Sequence, residues 1–364
     1  MKRRTFLTGA GLAGTGLATA VAGTASLVTP ALASGTRRLK MVTTWPKNFP
    51  GLGMSAERMA DRIKALTNGE IEVKVFAAGE LVPALEAFDT VSSGAADMYN
   101  GAEYYWQGKS VAFNFFTAVP FGMTANEINA WIYFGGGQAL WDELSAKFNI
   151  KAFMSANSGV QMGGWFRKEM NSLEDFKGLK IRMPGLGGEV MRRLGAAAVT
   201  LAGNDIYQAL QAGTIDATEW VGPWNDLAFG FDQVAPYYYW AGFHEPGSAL
   251  ATGFNIEVWN SLTPFQQQAI ETACMAENNY TLAEFNHFNA TSLQQMVAKG
   301  DVKLKQFSAD IMAGLKTQSD IVLQEAVDSS DELTKRVYES FKTSLDASRG
   351  WTRIAEQAFT EARG

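Results

Sequence analysis

The longest uninterrupted helical pattern in the sequence places the strongest limit on the fold. It starts after Thr263, an N-cap residue followed by Pro264 and by Gln266, which completes a capping box, and it runs without a break to Gly300. About 35 residues at about 1.5 Å each give a helix of some 50 Å. That length exceeds the expected width of either of two domains in this chain. The pattern therefore predicts two domains with one helix, residues 265–299, lying across both.

Before this helix, predicted strands and helices alternate, which is typical of a mostly parallel sheet with helices packed on it. Ser55 is the predicted N-cap of the first helix. Residues 94–106 and 208–220 share one order: a glycine that ends a helix, an aspartate, a short apolar strand and an aromatic, polar loop. We interpret this as a weak internal repeat, one copy per domain. It would place Tyr105 and Glu219 at one cleft between the domains.

The N-terminus has the pattern of an export signal. Lys2-Arg3-Arg4, an apolar run and Ala31-Leu32-Ala33 supply a positive region, a hydrophobic region and a cleavage site. The twin arginine is typical of a Tat signal, so we predict that residues 1–33 are removed and that the mature protein acts in the periplasm. A GxGxxG match at residues 9–14 lies inside this segment, and we interpret it as a false positive because no strand precedes it.

Composition excludes several kinds of site. Cys274 is the only cysteine, so no internal disulfide can form, and His244 and His287 are the only histidines, too few for a zinc cluster of the usual kind. The formal net charge of −6, without a basic cluster, argues against a nucleic-acid partner. An exported enzyme acting on small acids is disfavoured because no nucleophile–base spacing or cofactor fingerprint is present.

Arg182 is the most informative single residue. Ser172 and Asp175 predict a capped helical turn, and residues 179–183 then alternate as a strand that Pro184 ends. Arg182 would lie on the open face at the end of this strand, where a guanidinium can hold a carboxylate through two parallel hydrogen bonds. An ordinary solvent-exposed arginine fits the same pattern.

Six segments across the mature chain carry a family resemblance. They are TTWPK at 43–47, YYW at 104–106, GVQMGGW at 159–165, GLKIRMPG at 178–185, DATEWVGP at 216–223 and FHEPG at 243–247. The KIRMP strand resembles that of DctP-type solute receptors of TRAP transporters. Gln161 and the pair Glu219-Trp220 resemble the subgroup that binds 2-oxo or 2-hydroxy monocarboxylates. The resemblance implies a two-lobed α/β clamshell, like other periplasmic binding proteins, which performs no chemistry on its ligand.

The resemblance also implies roles for individual residues. Arg182 would fix the ligand carboxylate, while the oxygens of Gln161, Glu219 and the Trp220 backbone would hold a cation. With two ligand oxygens the cation would have five or six oxygen donors, a count that favours sodium, with calcium the alternative. The predicted ligand-binding set is Arg182, Gln161, Trp220, Asn157, Tyr105 and Glu245, and the predicted cation-binding set is Gln161, Glu219 and Trp220. Without the resemblance, Gln161 fits a polar residue at a domain crossover, and Glu219 fits a surface carboxylate.

The predicted ligand is a small 2-oxo monocarboxylate such as pyruvate or 2-oxobutyrate, delivered to a TRAP membrane permease. The alternatives are a lactate or other 2-hydroxy acid receptor with calcium, and a sensory receptor. Predicted lobe I comprises residues 34–157 and about 249–264, and predicted lobe II comprises residues 158–248 and about 300–330.

Residues 331–364 are predicted to form C-terminal helices. An apolar stripe in a last helix after Gly350, formed by Trp351, Ile354, Ala355, Ala358 and Phe359, has to be buried on this chain or on a partner. Because the subgroup dimerises through an extra C-terminal helix, the resemblance implies a homodimer.

Overall fold

A computed structural model of the protein describes residues 35–364, which form two β-sheets surrounded by helices. The predicted signal segment and its GxGxxG match lie outside the described residues. The strands are β1 Arg37–Thr43, β2 Ile71–Phe76, β3 Met98–Gly101, β4 Ile150–Asn157, β5 Gly164–Phe166, β6 Lys180–Arg182, β7 Ala197–Val199, β8 Ala217–Thr218, β9 Tyr237–Trp240, β10 Ala249–Asn255 and β11 Lys303–Gln306.

The helices vary from one turn to ten turns. They are α1 Leu52–Leu66, α2 Ala87–Ser92, α3 Ala125–Phe134, α4 Gly137–Ala146, α5 Gly185–Arg193, α6 Gly203–Ala212, α7 Pro223–Phe229, α8 Ile256–Asn260, α9 Pro264–Lys299, α10 Ala309–Asp328, α11 Glu332–Thr352 and α12 Ala358–Arg363, with a π-helical turn at Arg353–Gln357 joining the last two. Within residues 35–364, no helix is both long enough and apolar enough to cross a membrane.

The two sheets repeat one topology. In the first, of order β2-β1-β3-β10-β4, strand β1 pairs in parallel with β2 and β3. In the second, of order β11-β9-β5-β8-β6-β7, strand β6 pairs in parallel with β7 and β8. In both sheets the next neighbour, β10 or β5, is antiparallel. The predicted internal repeat is therefore present as a repeated strand order.

The chain passes between the sheets three times, at two neighbouring segments and through α9, which leads from β10 to β11. Residues 158–163 lead from β4 to β5, and residues 241–248 lead from β9 back to β10. The segments are joined by hydrogen bonds from the Ser158 N–H to the Ser248 carbonyl (3.0 Å) and from the Gln161 N–H to the Glu245 carbonyl (3.1 Å). We name the part built on the first sheet lobe I and the part built on the second sheet lobe II; the residue boundaries given above for the lobes stay a prediction.

The long helix α9 contacts both lobes, as its length requires. Its N-terminus has the predicted capping box of Thr263 and Gln266. On the lobe I side, the Arg58 guanidinium of α1 forms ion pairs with Glu277 and Glu284 of α9, at 2.8 and 2.7 Å. On the lobe II side, the Trp224 N–H of α7 donates to the Asn289 side chain at 3.1 Å. The prediction of a helix lying across both domains is confirmed.

Two details of the predicted helices are wrong. Helix α1 begins at Leu52, with Gly51 as its N-cap, so Ser55 lies inside the helix rather than capping it. Gly350 does not separate two helices, because α11 continues through it to Thr352. The apolar faces nevertheless differ along this region: Leu333, Val337, Phe341 and Leu345 are buried, while Trp351, Ile354 and Phe359 are 67, 66 and 65% exposed.

Candidate functional site

A narrow, nearly filled cavity, with about 10 Å³ of free space, lies between the lobes, where β1 and β3 of lobe I end opposite β8 of lobe II. Its lining combines aromatic and aliphatic side chains with a few polar ones. The lining residues are Trp45, Leu52, Tyr104, Tyr105, Ser158, Gln161, Trp220, Val221, Ser248 and Leu250. Both crossover segments contribute to this lining, so a change in the angle between the lobes would change the cavity.

Arg182, the last residue of β6, is fully buried beside this cavity, so the solvent-exposed alternative for it is wrong. Its Nη1 donates to the carboxylate and, at 3.1 Å, to the backbone carbonyl of Glu219. Its Nε donates to the Leu201 carbonyl at 3.3 Å. Its Nη2 makes only a long contact of 3.4 Å, to the Tyr105 hydroxyl of lobe I. Nη2 is therefore the guanidinium nitrogen with the weakest contact to other protein groups.

Glu219, His244 and Glu245 form a buried acidic cluster whose candidate ligand atoms lie within 4.8 Å of one another. The His244 Nε2 lies 3.3 Å from the Glu219 carboxylate. Burial alone would lower the pKa of His244, but the hydrogen bond and negative charge of Glu219 raise it. Burial, and then repulsion from Glu219, raises the pKa of Glu245 to about 7. The cluster therefore resists carrying two full negative charges without further positive charge.

Gln161 joins the acidic cluster to the cavity. Its amide nitrogen donates to the Glu245 carboxylate at 2.8 Å and to the Ser158 hydroxyl at 3.2 Å. Its side-chain oxygen is buried and has no hydrogen-bond partner within residues 35–364, and the same holds for the indole N–H of Trp220. One buried acceptor and one buried donor thus belong to cavity-lining residues and are unsatisfied by the protein, which is a costly arrangement unless a ligand or ion completes it.

The Asp226 side chain holds the loop that carries Glu219 and Trp220 in place through hydrogen bonds. This buried carboxylate accepts the backbone N–H groups of Val221 and Gly222, both at 3.2 Å. It also accepts the Trp165 indole N–H at 3.0 Å and the Tyr238 hydroxyl at 2.7 Å. Four donors on one carboxylate fix the backbone immediately after Trp220, so the carbonyl of Trp220 has a defined position.

The walls of the cavity are aromatic. Trp45 lies just after β1, and its ring centroid is 6.3 Å from that of Tyr105 and 6.2 Å from that of Trp220. Its indole N–H donates to the side-chain oxygen of Asn100 at 2.6 Å. The Arg182 guanidinium lies over the Trp220 ring, 5.0 Å from the centroid. A cation–π contact of this kind orients the guanidinium without using its N–H groups.

The structure brings the predicted site residues into one region. Tyr105, Gln161 and Trp220 line the cavity, while Arg182, Glu219, Glu245 and Asn157 are buried next to it. The Asn157 side-chain oxygen accepts the Gly159 N–H at 2.8 Å, which shapes the start of the first crossover, and its amide nitrogen is unpartnered in the part of the chain that is described. The ligand and cation roles assigned to these residues stay predictions.

Sequence reasoning missed several lining residues. Trp45 had a usable signal, because it follows a predicted strand in the TTWPK segment. Leu52, Ser248 and Leu250 had none: Leu52 is simply the first residue of α1, and Leu250 is one of many apolar residues in a buried strand. These residues become site residues only through the long-range pairing of β10 between β3 and β4 and through the packing of α1.

The protein has a closed cleft between two sheets and a helix that lies across both lobes. Residues that line a small cavity in this cleft carry unsatisfied polar groups. These features define the class of two-lobed solute-binding proteins. Comparison with known proteins agrees and narrows the class. The chain belongs to the family of bacterial extracellular solute-binding proteins, family 7 (DctP), whose model matches residues 41–330. It is accordingly a solute receptor rather than an enzyme, of the kind that serves TRAP membrane permeases from the periplasm.

Three relatives are informative. The monocarboxylate 2-oxoacid-binding periplasmic protein of Nostoc is 42% identical over 323 residues, covering 88% of each chain. A TRAP solute-binding protein of Pseudoalteromonas atlantica with bound sodium and pyruvate is 38% identical, with a TM-score of 0.87 over 90% of this chain and 99% of its own. One of Bordetella bronchiseptica, a dimer with calcium and picolinate, is 36% identical, with a TM-score of 0.88 over 90% of this chain and 97% of its own.

Proposed function

We propose that this protein captures a small 2-oxo monocarboxylate, of the pyruvate or 2-oxobutyrate type, together with a cation, and delivers it to a TRAP permease. The observation that carries the proposal is the unpartnered side-chain oxygen of Gln161 beside the buried carboxylates of Glu219 and Glu245. Relatives named or solved with 2-oxo acids support the ligand class. A 2-oxo acid offers a carboxylate for Arg182 and a second oxygen for the cation.

The charges in the cleft favour a cation. The ligand carboxylate and Glu219 bring two negative charges, with Glu245 a potential third, whereas Arg182 brings one positive charge, to which His244 adds a second only when it is protonated. Burying that excess costs several kcal/mol unless a proton or a cation compensates it. The residues present fit a hard cation in their chemistry, because Gln161, Glu219 and the Trp220 carbonyl all offer oxygen donors.

The cation and the ligand would then assist each other. In this structure the Glu219 carboxylate and Arg182 satisfy one another. A cation that attracts the Glu219 carboxylate would leave Nη1 and Nη2 of Arg182 available to the ligand carboxylate. Three protein oxygens and two ligand oxygens give five donors, a count that suits sodium and is low for calcium, so sodium is the proposed ion and calcium the alternative.

The narrow cavity supports a small ligand. Its free space of about 10 Å³ is room for about one water molecule, so the lobes have to separate even for a three-carbon acid, and further for a larger one. A lactate receptor that uses calcium shares every feature described above, and it is the alternative that ligand binding has to decide.

A thermal-shift screen tests the ligand class. Pyruvate, 2-oxobutyrate, lactate, propionate and succinate are each added to the purified protein with sodium or calcium, because a ligand that binds only the folded state raises the unfolding temperature. The proposal predicts the largest shifts with pyruvate or 2-oxobutyrate, a small shift with propionate and none with succinate. A larger shift with lactate in calcium would favour the alternative. A larger shift with succinate would contradict the proposal.

Export and assembly form the remaining part of the proposal. We infer that a Tat signal at residues 1–33 exports the chain and that the exposed face of Trp351, Ile354 and Phe359 is covered by a second copy in a homodimer, since a face of this size is costly in water. Truncation after Gly350 should yield monomers in sedimentation experiments. A full-length protein that is already monomeric at micromolar concentration would rule out the dimer.

A further inference from the structure

A second set of contacts joins the lobes outside the ligand cavity. Phe49, in the loop after β1 of lobe I, stacks on Phe229 of lobe II with ring centroids 4.3 Å apart and an interplanar angle of 28°. The same ring meets Trp220 edge-on at 6.4 Å. Phe49 is 7% exposed and is not among the residues that line the cavity. Its ring therefore contributes to the closed arrangement of the lobes without contacting the cavity.

The backbone next to Phe49 is held as well. The fully buried Asn225 of α7 donates its amide N–H to the Pro50 carbonyl at 3.1 Å, across the two lobes. The Asn225 side-chain oxygen has no partner among the described residues, so the bond to Pro50 is the one that orients this amide. At Gly51, with φ of 66°, a Cβ would lie 2.6 Å from Phe285 and 3.0 Å from Trp224. The loop is thus seated closely on α7 and α9.

These contacts are connected to the ligand site through Trp220. The Trp220 ring makes edge-to-face contacts with Phe49 and Phe229. Gly203 lies close to the same ring, and a Cβ added at Gly203 would be 2.7 Å from it. The ring also carries the Arg182 guanidinium and belongs to the cavity lining. A single side chain is therefore shared between the interlobe contact and the ligand-binding site.

We propose that Phe49 and Pro50 of lobe I form a clasp with Trp220, Asn225 and Phe229 of lobe II, and that this clasp sets the rate at which bound ligand is released. Release requires the lobes to separate. Separation would expose the rings of Phe49 and Phe229 to water and would break the Asn225–Pro50 hydrogen bond. Because the Phe49–Phe229 and Asn225–Pro50 contacts lie outside the cavity lining, they slow release of every acid that fits the cavity by the same factor.

The inference rests on the proposed function, since pyruvate and 2-oxobutyrate are the probes. Stopped-flow measurement of ligand dissociation is made on the wild-type protein, on Phe49→Ala, on Phe49→Leu and on Asn225→Ala. In Phe49→Ala, dissociation of both acids should accelerate by about 10- to 100-fold, while association changes by less than about threefold. Phe49→Leu keeps an apolar side chain without the stacked ring, so its dissociation rates should lie between those of the wild type and of Phe49→Ala. Asn225→Ala should accelerate dissociation less than Phe49→Ala does.

Phe265→Ala is the matched control, because this phenylalanine lies on α9 and is 51% exposed. It should leave both dissociation rates unchanged. Leu250→Ala alters the cavity lining and should instead change the ratio between the two acids. An unchanged rate in Phe49→Ala would overturn the clasp, and so would a large change in the pyruvate to 2-oxobutyrate ratio, because that would make Phe49 a determinant of cavity shape.

A measurement without ligand separates the two proposals. If the wild-type protein binds neither acid, the proposed function fails, and the clasp is judged by small-angle scattering of the ligand-free proteins. Phe49→Ala should then have a larger radius of gyration than wild type and Phe265→Ala should not. Equal radii for all three proteins would overturn the clasp on its own terms. If Phe49→Ala does not fold, Phe49→Leu and Asn225→Ala carry both measurements.

Discussion

Lobe I and lobe II repeat the same parallel strand order but present different chemistry to the cleft. Strands β1 and β3 of lobe I lead into loops that carry Trp45 and Tyr105, which supply walls and one hydroxyl. Strands β6 and β8 of lobe II end at Arg182 and next to Glu219, which supply charge. The repeated scaffold therefore fixes where strand ends meet, and the residue types at those ends differ between the lobes.

Two buried glutamates show the same contrast. Glu103 of lobe I is fully buried and accepts a hydrogen bond only from the Tyr99 hydroxyl among the described residues, and burial raises the pKa of its carboxyl to about 8. Glu219 of lobe II is equally buried but is held by Arg182 and His244. A buried carboxyl without a neighbouring cation, such as that of Glu103, stays neutral at neutral pH, whereas Glu219 lies beside the permanently charged guanidinium of Arg182. The buried ion pair beside the cavity therefore belongs to lobe II.

The contrast predicts that Arg182→Lys has the largest effect on ligand binding. An ammonium cannot reproduce the planar donor set that holds Glu219 and Leu201 while leaving Nη2 for a ligand, so we expect affinity for pyruvate to fall by about 2–3 kcal/mol. Calorimetric titration measures the loss. Arg58→Lys, which changes a half-buried arginine between α1 and α9, is the control and should bind as wild type. Equal affinity in Arg182→Lys would remove Arg182 from the site.

Glu219→Gln should have the next largest effect, because it removes the negative charge that attracts the cation. We expect pyruvate affinity to fall by about 2 kcal/mol in sodium and to become insensitive to the choice of cation. Glu277→Gln provides a matched buried carboxylate on α9, which is paired with Arg58 and Arg62 and is not part of the cavity lining. If Glu219→Gln keeps the wild-type response to sodium, the cation is bound elsewhere.

Tyr105→Phe should have a smaller effect, because lobe I contributes walls more than charge. The lost hydroxyl contacts Arg182 at 3.4 Å, so we expect a reduction of about 0.5–1.5 kcal/mol in pyruvate affinity. Tyr280→Phe on α9 serves as the control. A loss as large as that of Arg182→Lys would mean that the two lobes share the charged contact equally.

Glu103→Gln should leave ligand affinity unchanged and alter only the pH dependence of stability. The pKa of Glu103 in the folded protein, about 8, lies above its ordinary value of 4.5, so the stability it contributes is fully present below about pH 4.5 and is lost as pH rises through about 8. Relative to wild type, Glu103→Gln should gain on the order of 3–5 kcal/mol in unfolding free energy between pH 4.5 and pH 8.5. Parallel unfolding curves at both pH values would show that Glu103 titrates normally.

The parts of the fold that sequence predicted are those specified by local patterns. The capping boxes at Ser172 and Thr263 are both present, and the long helix runs from Pro264 to Lys299. Such features depend on residues a few positions apart, so period and capping chemistry are enough to find them. The repeat of residues 94–106 and 208–220 is predictable for the same reason, because each copy is a local order of residue types.

The parts that sequence did not predict depend on distant contacts. Helix α5 begins at Gly185 within a glycine-rich run of low helix propensity, and the side chain of Asn114 in lobe I accepts the Leu186 N–H at its start. The full burial of Arg182 follows from Tyr105, Leu201 and Glu219 meeting around it, which the strand pattern alone does not contain. The same holds for Phe49, whose partner Phe229 is far away in sequence.

Cation-dependent binding of pyruvate tests the central claim, that lobe II binds the acid through charge shared with a cation. Pyruvate and propionate, which lacks the 2-oxo oxygen, are titrated calorimetrically into metal-stripped protein in choline chloride, and again after sodium or calcium chloride is added at matched ionic strength. The account predicts that the cation strengthens pyruvate binding by at least about tenfold, which is about 1.4 kcal/mol, and propionate binding far less. Undiminished pyruvate binding in the stripped wild-type protein and in Glu219→Gln would contradict it, and would leave a protonated Glu219 as the means of balancing charge in the cleft.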